Sequence, residues 1–409
     1  MVLAALAASQ PVVALGLIGG VAVVVLALLT PAVVLVAMFP ATFAYWRVGP
    51  ASVDMSVTDA LTIVAILAAL PFVPWRSPTL RRILVATAGY CAILAVTVVV
   101  HPAQRSVVEV VHQASIVAGA VLIGSAVSRL GYARLALRAL LVTAAVISWA
   151  AAIDTAAHKL QPAYPFGIQK NAAGELIVMG LVVLLTVPHR LRWSRLMVGF
   201  MAVTLLGGLV ASESRGAALA LVAVFALHLL RQRKAGSSTR ITRLAPLLLV
   251  VSVLLIGISV ITYQARDLNP QTEQFNSVNS RLDTYSYAID HKWEPNLVFG
   301  AGLKWFFAPD STYGVPHDLV IDELSEAGIV GLLGMIVVLW VLLAAMRRST
   351  SDLGEAGYLV LVARILEATV GVFWVAGPGT LPFLIVGLVV GDEEEADIRR
   401  PVRARALAG

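Results

Sequence analysis

The sequence predicts an all-α fold, a polytopic bundle of about 12 membrane-spanning helices. Three observations carry this. Hydrophobic residues make up 59% of the 409-residue chain and charged residues only 13%, whereas a soluble domain carries roughly 45–50% and about 25%. The mean hydropathy is +0.87. The apolar residues come in runs of about 20, the length that crosses a bilayer as a helix. Together these exclude a soluble enzyme, a disordered chain and a disulfide scaffold. A single cysteine, Cys91, leaves no internal disulfide and no cysteine metal site. Seven histidines show no HxxxH or HExxH spacing, so neither a metal nor another cofactor is expected.

The elements follow in order. Residues 1–10 lack a basic region and do not read as a cleaved signal peptide. The apolar stretch 11–46 is broken by Pro31 and Pro40, and reads as one broken span or as a hairpin, giving 12 or 13 spans. Ser56 to Asp59 fits a capping box opening a span over 58–74. Further spans are expected at 83–100, 110–127, 135–153, 172–187, 196–211, 217–230, 244–263, 323–346, 356–375 and 378–391. Within the 356–375 span, Arg364 and Glu367 stand three apart and are expected to pair on a bundle-facing side. The organisation is thus N-terminal spans over 1–263, one long loop over 264–322, C-terminal spans over 323–391, and a solvated tail over 392–409.

Charge sets the sidedness. Alternate connections, together with the tail, hold 20 of the 30 basic residues. They carry Arg76, Arg81 and Arg82; Arg129, Arg134 and Arg138; Arg190, Arg192 and Arg195; then Arg231 to Arg243, Arg347 and Arg348. The positive-inside rule places this set in the cytoplasm. It also explains a pI near 9.6 without a nucleic-acid partner. The long loop then lies outside the cytoplasm. Its nine aromatic residues, from Phe275 to Tyr313, argue that it folds, as short helices on the membrane surface.

Four polar places fall on that outer face. Arg215 lies in the turn SESRG (212–216), at a helix start suited to anions. It alternatively snorkels to head groups or pairs with Glu213. Arg281 lies in the loop, where an ion pair with Asp283 is the plainer reading. The loop is net acidic, so any anion site there depends on particular arginines. His317 precedes the 323–346 span and is placed to take a proton from a hydroxyl, or merely to cap or pack. Lys170 and Asn171 stand at the outer start of the 172–187 span, where Asn171 alternatively caps the helix.

These elements, in this order, resemble the O-antigen ligase and polymerase family of bacterial envelope glycosyltransferases. The features that carry the resemblance read QKN (169–171), SESRG (212–216), SR (280–281), FGAG (299–302), HD (317–318) and EAGIVG (326–331), and they cover residues 166–334. The resemblance implies a metal-independent, inverting transfer of a glycan from a polyprenyl-pyrophosphate carrier to an acceptor hydroxyl. It implies a multi-pass protein of the bacterial cytoplasmic membrane with its site on the outer face and the long loop folded over an outer cavity. By matched position, Arg215 and Arg281 would hold the pyrophosphate and His317 would activate the acceptor. Lys170, Asn171 and Lys304 are weaker candidates for binding substrate. The family's usual Asn after the histidine is Asp318 here; an acid there could orient His317 or share the base role. The partners implied are the lipid-linked glycan donor, membrane lipids, and an acceptor that is a glycan, a lipid or a cell-wall polymer. The competing reading is a flippase or transporter of lipid-linked glycan. That reading calls for repeats and polar residues deep in several spans, whereas the polar groups here gather at the outer boundary.

Overall fold

A computed structural model describes residues 24–44, 46–48, 55–157, 163–234, 277–307 and 314–408. The expected 244–263 span and most of the first segment before Pro31 lie outside the described residues. The described chain is mainly helical, with one small ribbon. Helix α1 (Pro31–Ala41) leads to strands β1 (Arg47–Val48) and β2 (Met55–Ser56), paired antiparallel with Arg47 opposite Ser56. Then come α2 (Val57–Ala69), α3 (Pro78–Val100), α4 (Gln104–Ala114), α5 (Ala120–Arg129) and α6 (Ala133–Ala157). A single π-helical turn, Ser115–Gly119, joins α4 to α5. They are followed by α7 (Lys170–Thr186), the short α8 (Pro188–Leu191), α9 (Arg195–Ser212) and α10 (Arg215–Lys234). After these come α11 (Ser277–Tyr287), α12 (Leu319–Arg348), α13 (Leu353–Ala368) and α14 (Thr380–Ala408).

Among the described residues, 6 helical stretches are long and apolar enough to cross a membrane: α3, α4 with α5, α6, α9, α10 up to Gln232, and α12. The shorter apolar helices α1 and α2, with α7, α13 and the first half of α14, pack among them. The capping box forms as expected: Asp59 N donates to Ser56 Oγ at 3.1 Å and Ser56 N to Asp59 Oδ2 at 2.8 Å. Beyond the expected 378–391 span the backbone stays helical through the tail to Ala408. The 356–375 span stops early. α13 ends at Ala368, and residues 369–379 form an irregular crossing before α14.

Small residues let the bundle close. Gly124 on α5 faces Gly387 on α14 with so little room that a side chain at either would strike the opposite backbone. Gly391, one turn on, meets Ser125 and Ser128 in the same way. This is the small-residue spacing that lets membrane helices pack backbone to backbone.

The expected pair of Arg364 with Glu367 does not form. Arg364 is 1% exposed and donates Nη1 to Glu175 Oε2 of α7 at 2.7 Å. Its Nη2 donates to the carbonyls of Val372 and Phe373 at 2.5 and 2.6 Å. Arg364 and Glu367, three apart on α13, are both buried, and the guanidinium takes the acid of the neighbouring helix as its partner, leaving both Glu367 oxygens unbonded. The guanidinium therefore ties the irregular 369–379 crossing to α7 from beneath. Charge is also buried more widely than the sequence suggested: Glu109, Glu175, Asp322, Glu323 and Glu326 are all inside.

The basic connections meet at one end. Arg129 donates to Val73 O, Arg138 to Leu191 O, and Arg190 pairs with Asp352 and Asp392. His189 and Arg190 hold the Asp352 carboxyl below its ordinary value, against the effect of burial. The opposite end carries residues 277–307, the turn between α9 and α10, and the 369–379 crossing.

Candidate active site

The site is built around a break in α12. Gly328 sits inside that helix at φ 68°, ψ −163°, a conformation open essentially to glycine. The helical hydrogen bonds lost there are replaced by the loop. Ala301 N donates to Ser325 O at 2.8 Å and Gly302 N to Glu326 O at 3.1 Å. In return Ile329 N donates to Leu297 O and Val330 N to Val298 O. Irregular backbone at membrane depth is tolerated where protein satisfies it in this way. The approach needs glycine on both sides: a Cβ on Gly300, at φ 65°, would lie 2.6 Å from the Glu326 carbonyl. The FGAG and EAGIVG motifs are thus two halves of one joint.

The joint delivers charged side chains to a cavity of about 490 Å³. Its walls come from the start of α2, from α4, from residues 304–307 and from the 372–376 part of the crossing. Lys304 is brought in by a left-handed turn (φ 59°), its amide donating to Glu326 Oε1 at 2.9 Å. Its ammonium lies 3.4 Å from Glu109 Oε1. Burial alone would lower its pKa, but Glu109, Glu326 and Asp322 together hold it above the ordinary lysine value. Behind it, Tyr90 Oη donates to Glu323 Oε1 at 2.9 Å, and Trp374 Nε1 donates to Glu323 Oε2 at 3.1 Å.

His317 lines the cavity just ahead of α12. Tyr285 of α11 donates its hydroxyl to the His317 carbonyl at 2.8 Å, which fixes the backbone. Burial and the nearby Arg281 guanidinium both push the imidazole below the usual histidine value. A neutral ring is the form that accepts a proton. Asp318 is the N-cap of α12, its Oδ1 accepting from Val320 N and Ile321 N at 2.9 and 3.0 Å. Among the described residues no side chain is hydrogen-bonded to the His317 ring.

The two arginines do not line the cavity; both belong to segments that touch Val370 beside it. Arg281 donates Nη1 to Val370 O at 3.1 Å. Arg215 opens α10, and the next residue, Gly216, is pressed against the Val370 side chain. The left-handed Glu213 (φ 50°) makes this sharp turn between α9 and α10. The start of α7 packs on the same turn, Gly174 leaving room for Ser214. Gln169, not Asn171, is the N-cap of α7, and Gln169 lines the cavity. Lys170 and Asn171 occupy the first turn, both half-buried. His317, Arg281 and Arg215 are thus gathered around one crossing, residues 369–376, which Arg364 anchors.

Several lining groups were not singled out from the sequence. Arg105, Glu109 and His112 come from α4, where glutamate and histidine three apart on a polar stripe were the available sign. Asp59 was read only as a cap, but its second oxygen lies 3.2 Å from His112 Nε2. That is an ion-pair distance at an angle that makes no hydrogen bond.

Two comparisons bear on the chain. No curated protein matches it. Residues 200–336 match the family model described as O-Antigen ligase, a segment that includes Arg215, Arg281, the glycine joint and His317, while α2, α4 and the 369–376 crossing lie outside it. A domain of this kind points to a glycosyltransferase-type enzyme of the membrane, and over this segment the chain is similar to the O-antigen ligase family.

Proposed function

We propose that the protein transfers a glycan from a polyprenyl-pyrophosphate carrier to an acceptor hydroxyl at the outer face of the cytoplasmic membrane. The observation that carries this reading is the placement of His317 on the wall of a cavity, beside a crossing whose Val370 accepts from Arg281 and packs against Gly216, the residue after Arg215. In this reading the His317 imidazole takes the proton of the acceptor hydroxyl. The oxygen attacks the anomeric carbon as the bond from that carbon to the pyrophosphate oxygen breaks. Negative charge grows on the departing pyrophosphate, and two guanidinium groups are suited to neutralise it. Attack opposite the leaving group inverts the anomeric centre. Asp318, held as a helix cap, supports the position of His317 by fixing the start of α12. The outer-face placement rests on the basic connections, which gather at the other end of the bundle.

The test is complementation of a deletion host with Arg215→Ala, Arg281→Ala and His317→Ala, following lipid-linked glycan and checking expression. Well-expressed variants that leave donor untransferred on the outer face support the reading. Normal transfer by all three would remove it. Donor stranded on the inner face in the deletion host would favour a flippase.

A further inference from the structure

We propose that the cavity is the acceptor's subsite and that Arg105 reads an anionic substituent, carboxylate or phosphate, on the acceptor sugar. The inference rests on the transferase reading and adds the acceptor's chemistry to it.

The argument begins with what lines the cavity. His317 does, whereas Arg215 and Arg281 do not. A hydroxyl held in the cavity can therefore reach the imidazole while a pyrophosphate occupies the arginines beside Val370. The wall from α2, α4 and the loop carries Asp59, Arg105, Glu109, His112 and Lys304. Most of that charge is internally balanced. His112 lies between Asp59 Oδ1 at 3.2 Å and Glu109 Oε2 at 3.1 Å, and Lys304 Nζ is 3.4 Å from Glu109 Oε1.

Arg105 is the exception. It donates Nη1 to the Phe307 carbonyl at 2.5 Å and its guanidinium lies over the Phe307 ring, 5.2 Å from the centroid. Among the described residues no carboxylate pairs with it. The carbonyl bond and the ring hold the guanidinium in place, so little further ordering is needed to bind a planar or tetrahedral oxyanion. Phe306, Phe307 and Trp374 supply apolar faces alongside it for a sugar ring. A balanced wall with one surplus, oriented arginine fits a sugar that brings one negative charge.

The test uses the full chain in lipid nanodiscs and pairs of small sugars that differ in charge: glucuronic acid against glucose, and glucose 6-phosphate against glucose. Dissociation constants are measured by calorimetry, with and without excess pyrophosphate. The expected result is tighter binding of at least one acidic member, by about 10- to 100-fold, as for a charge-assisted bidentate contact. Arg105→Gln removes the preference, Arg105→Lys keeps part of it, Arg281→Ala leaves it intact, and pyrophosphate does not displace the sugar. Equal affinity within both pairs overturns the proposal, as does a preference that survives Arg105→Gln. Displacement by pyrophosphate would move the charge reader to the donor and overturn the acceptor assignment. The wild-type comparison decides by itself should Arg105→Gln fail to fold. Failure of the transferase reading would look different: pyrophosphate binding would be unaffected by Arg281→Ala.

Discussion

Replacing Gly328 by alanine tests the joint on which the site depends. At φ 68°, ψ −163° the residue occupies a region that a Cβ makes costly, by about 1–3 kcal/mol. The added methyl group would also collide with the Val298 carbonyl. That carbonyl accepts from Val330 N, and its neighbour Leu297 O accepts from Ile329 N. Relieving the collision therefore pulls apart two hydrogen bonds worth about 0.5–1.5 kcal/mol each. The sum is about 2–6 kcal/mol, a large part of the roughly 5–15 kcal/mol that holds a typical protein folded. The assay is unfolding of the purified protein in micelles by a titration with sodium dodecyl sulfate. Gly199→Ala is the control. It lies within α9 with open space around its Cα, and there alanine is expected to be neutral or to stabilise by about 0.5–1 kcal/mol. If Gly328→Ala unfolds with the wild type and the Gly199→Ala control, the break in α12 is not a glycine-dependent joint and the reasoning fails.

Other expectations follow from the same geometry. Glu175→Gln leaves Arg364 buried without its ion-pair partner and should cost about 3–5 kcal/mol in the same titration. The pair Glu175→Leu with Arg364→Met should recover stability but not transfer activity, because the Val372 and Phe373 carbonyls lose their anchor. The pH profile of kcat/KM should hold through pH 6.5 and fall only in more acid solution, since burial and Arg281 both lower the His317 value and the base works in its neutral form. An acidic limb at or above pH 7 would count against His317 as the base. Asp352→Asn should cost under about 1 kcal/mol, because the pair with Arg190 is exposed. The contribution should vanish in high salt, and also as pH falls through the lowered carboxyl value.

The helices were legible because bilayer spans need long apolar runs, and the ends of α3, α6, α7 and α9 fall within a few residues of expectation. The break in α12 was hidden, since a run from Ile329 to Ala345 reads as one span whatever precedes it. Gly300 and Gly302 carried no meaning alone; their role appears only once Ser325 and Glu326 lie across from them. The partner of Arg364 was misread for a similar reason. Spacing along one helix names a neighbour three residues away, but not an acid on α7 that lies nearer in space. His317, Arg215 and Arg281 stood out because charged groups at a membrane boundary are few. Arg105 and His112 did not, because a short amphipathic helix is ordinary at such a boundary.

The cavity is divided between two parts of the chain. Within residues 200–336 lie His317, Lys304 and the phenylalanines of the loop. Asp59, Arg105, Glu109 and His112 come from helices more than 80 residues before that segment begins, and Trp374 comes from beyond its end. The wall that faces the incoming molecule is thus shared between the matched segment and helices outside it. Exchanging α2 and α4 for those of a related chain would alter what enters while leaving the histidine and its glycine joint intact. A fragment limited to 200–336 would keep the chemistry's side chains and lose the vessel that holds the reactants.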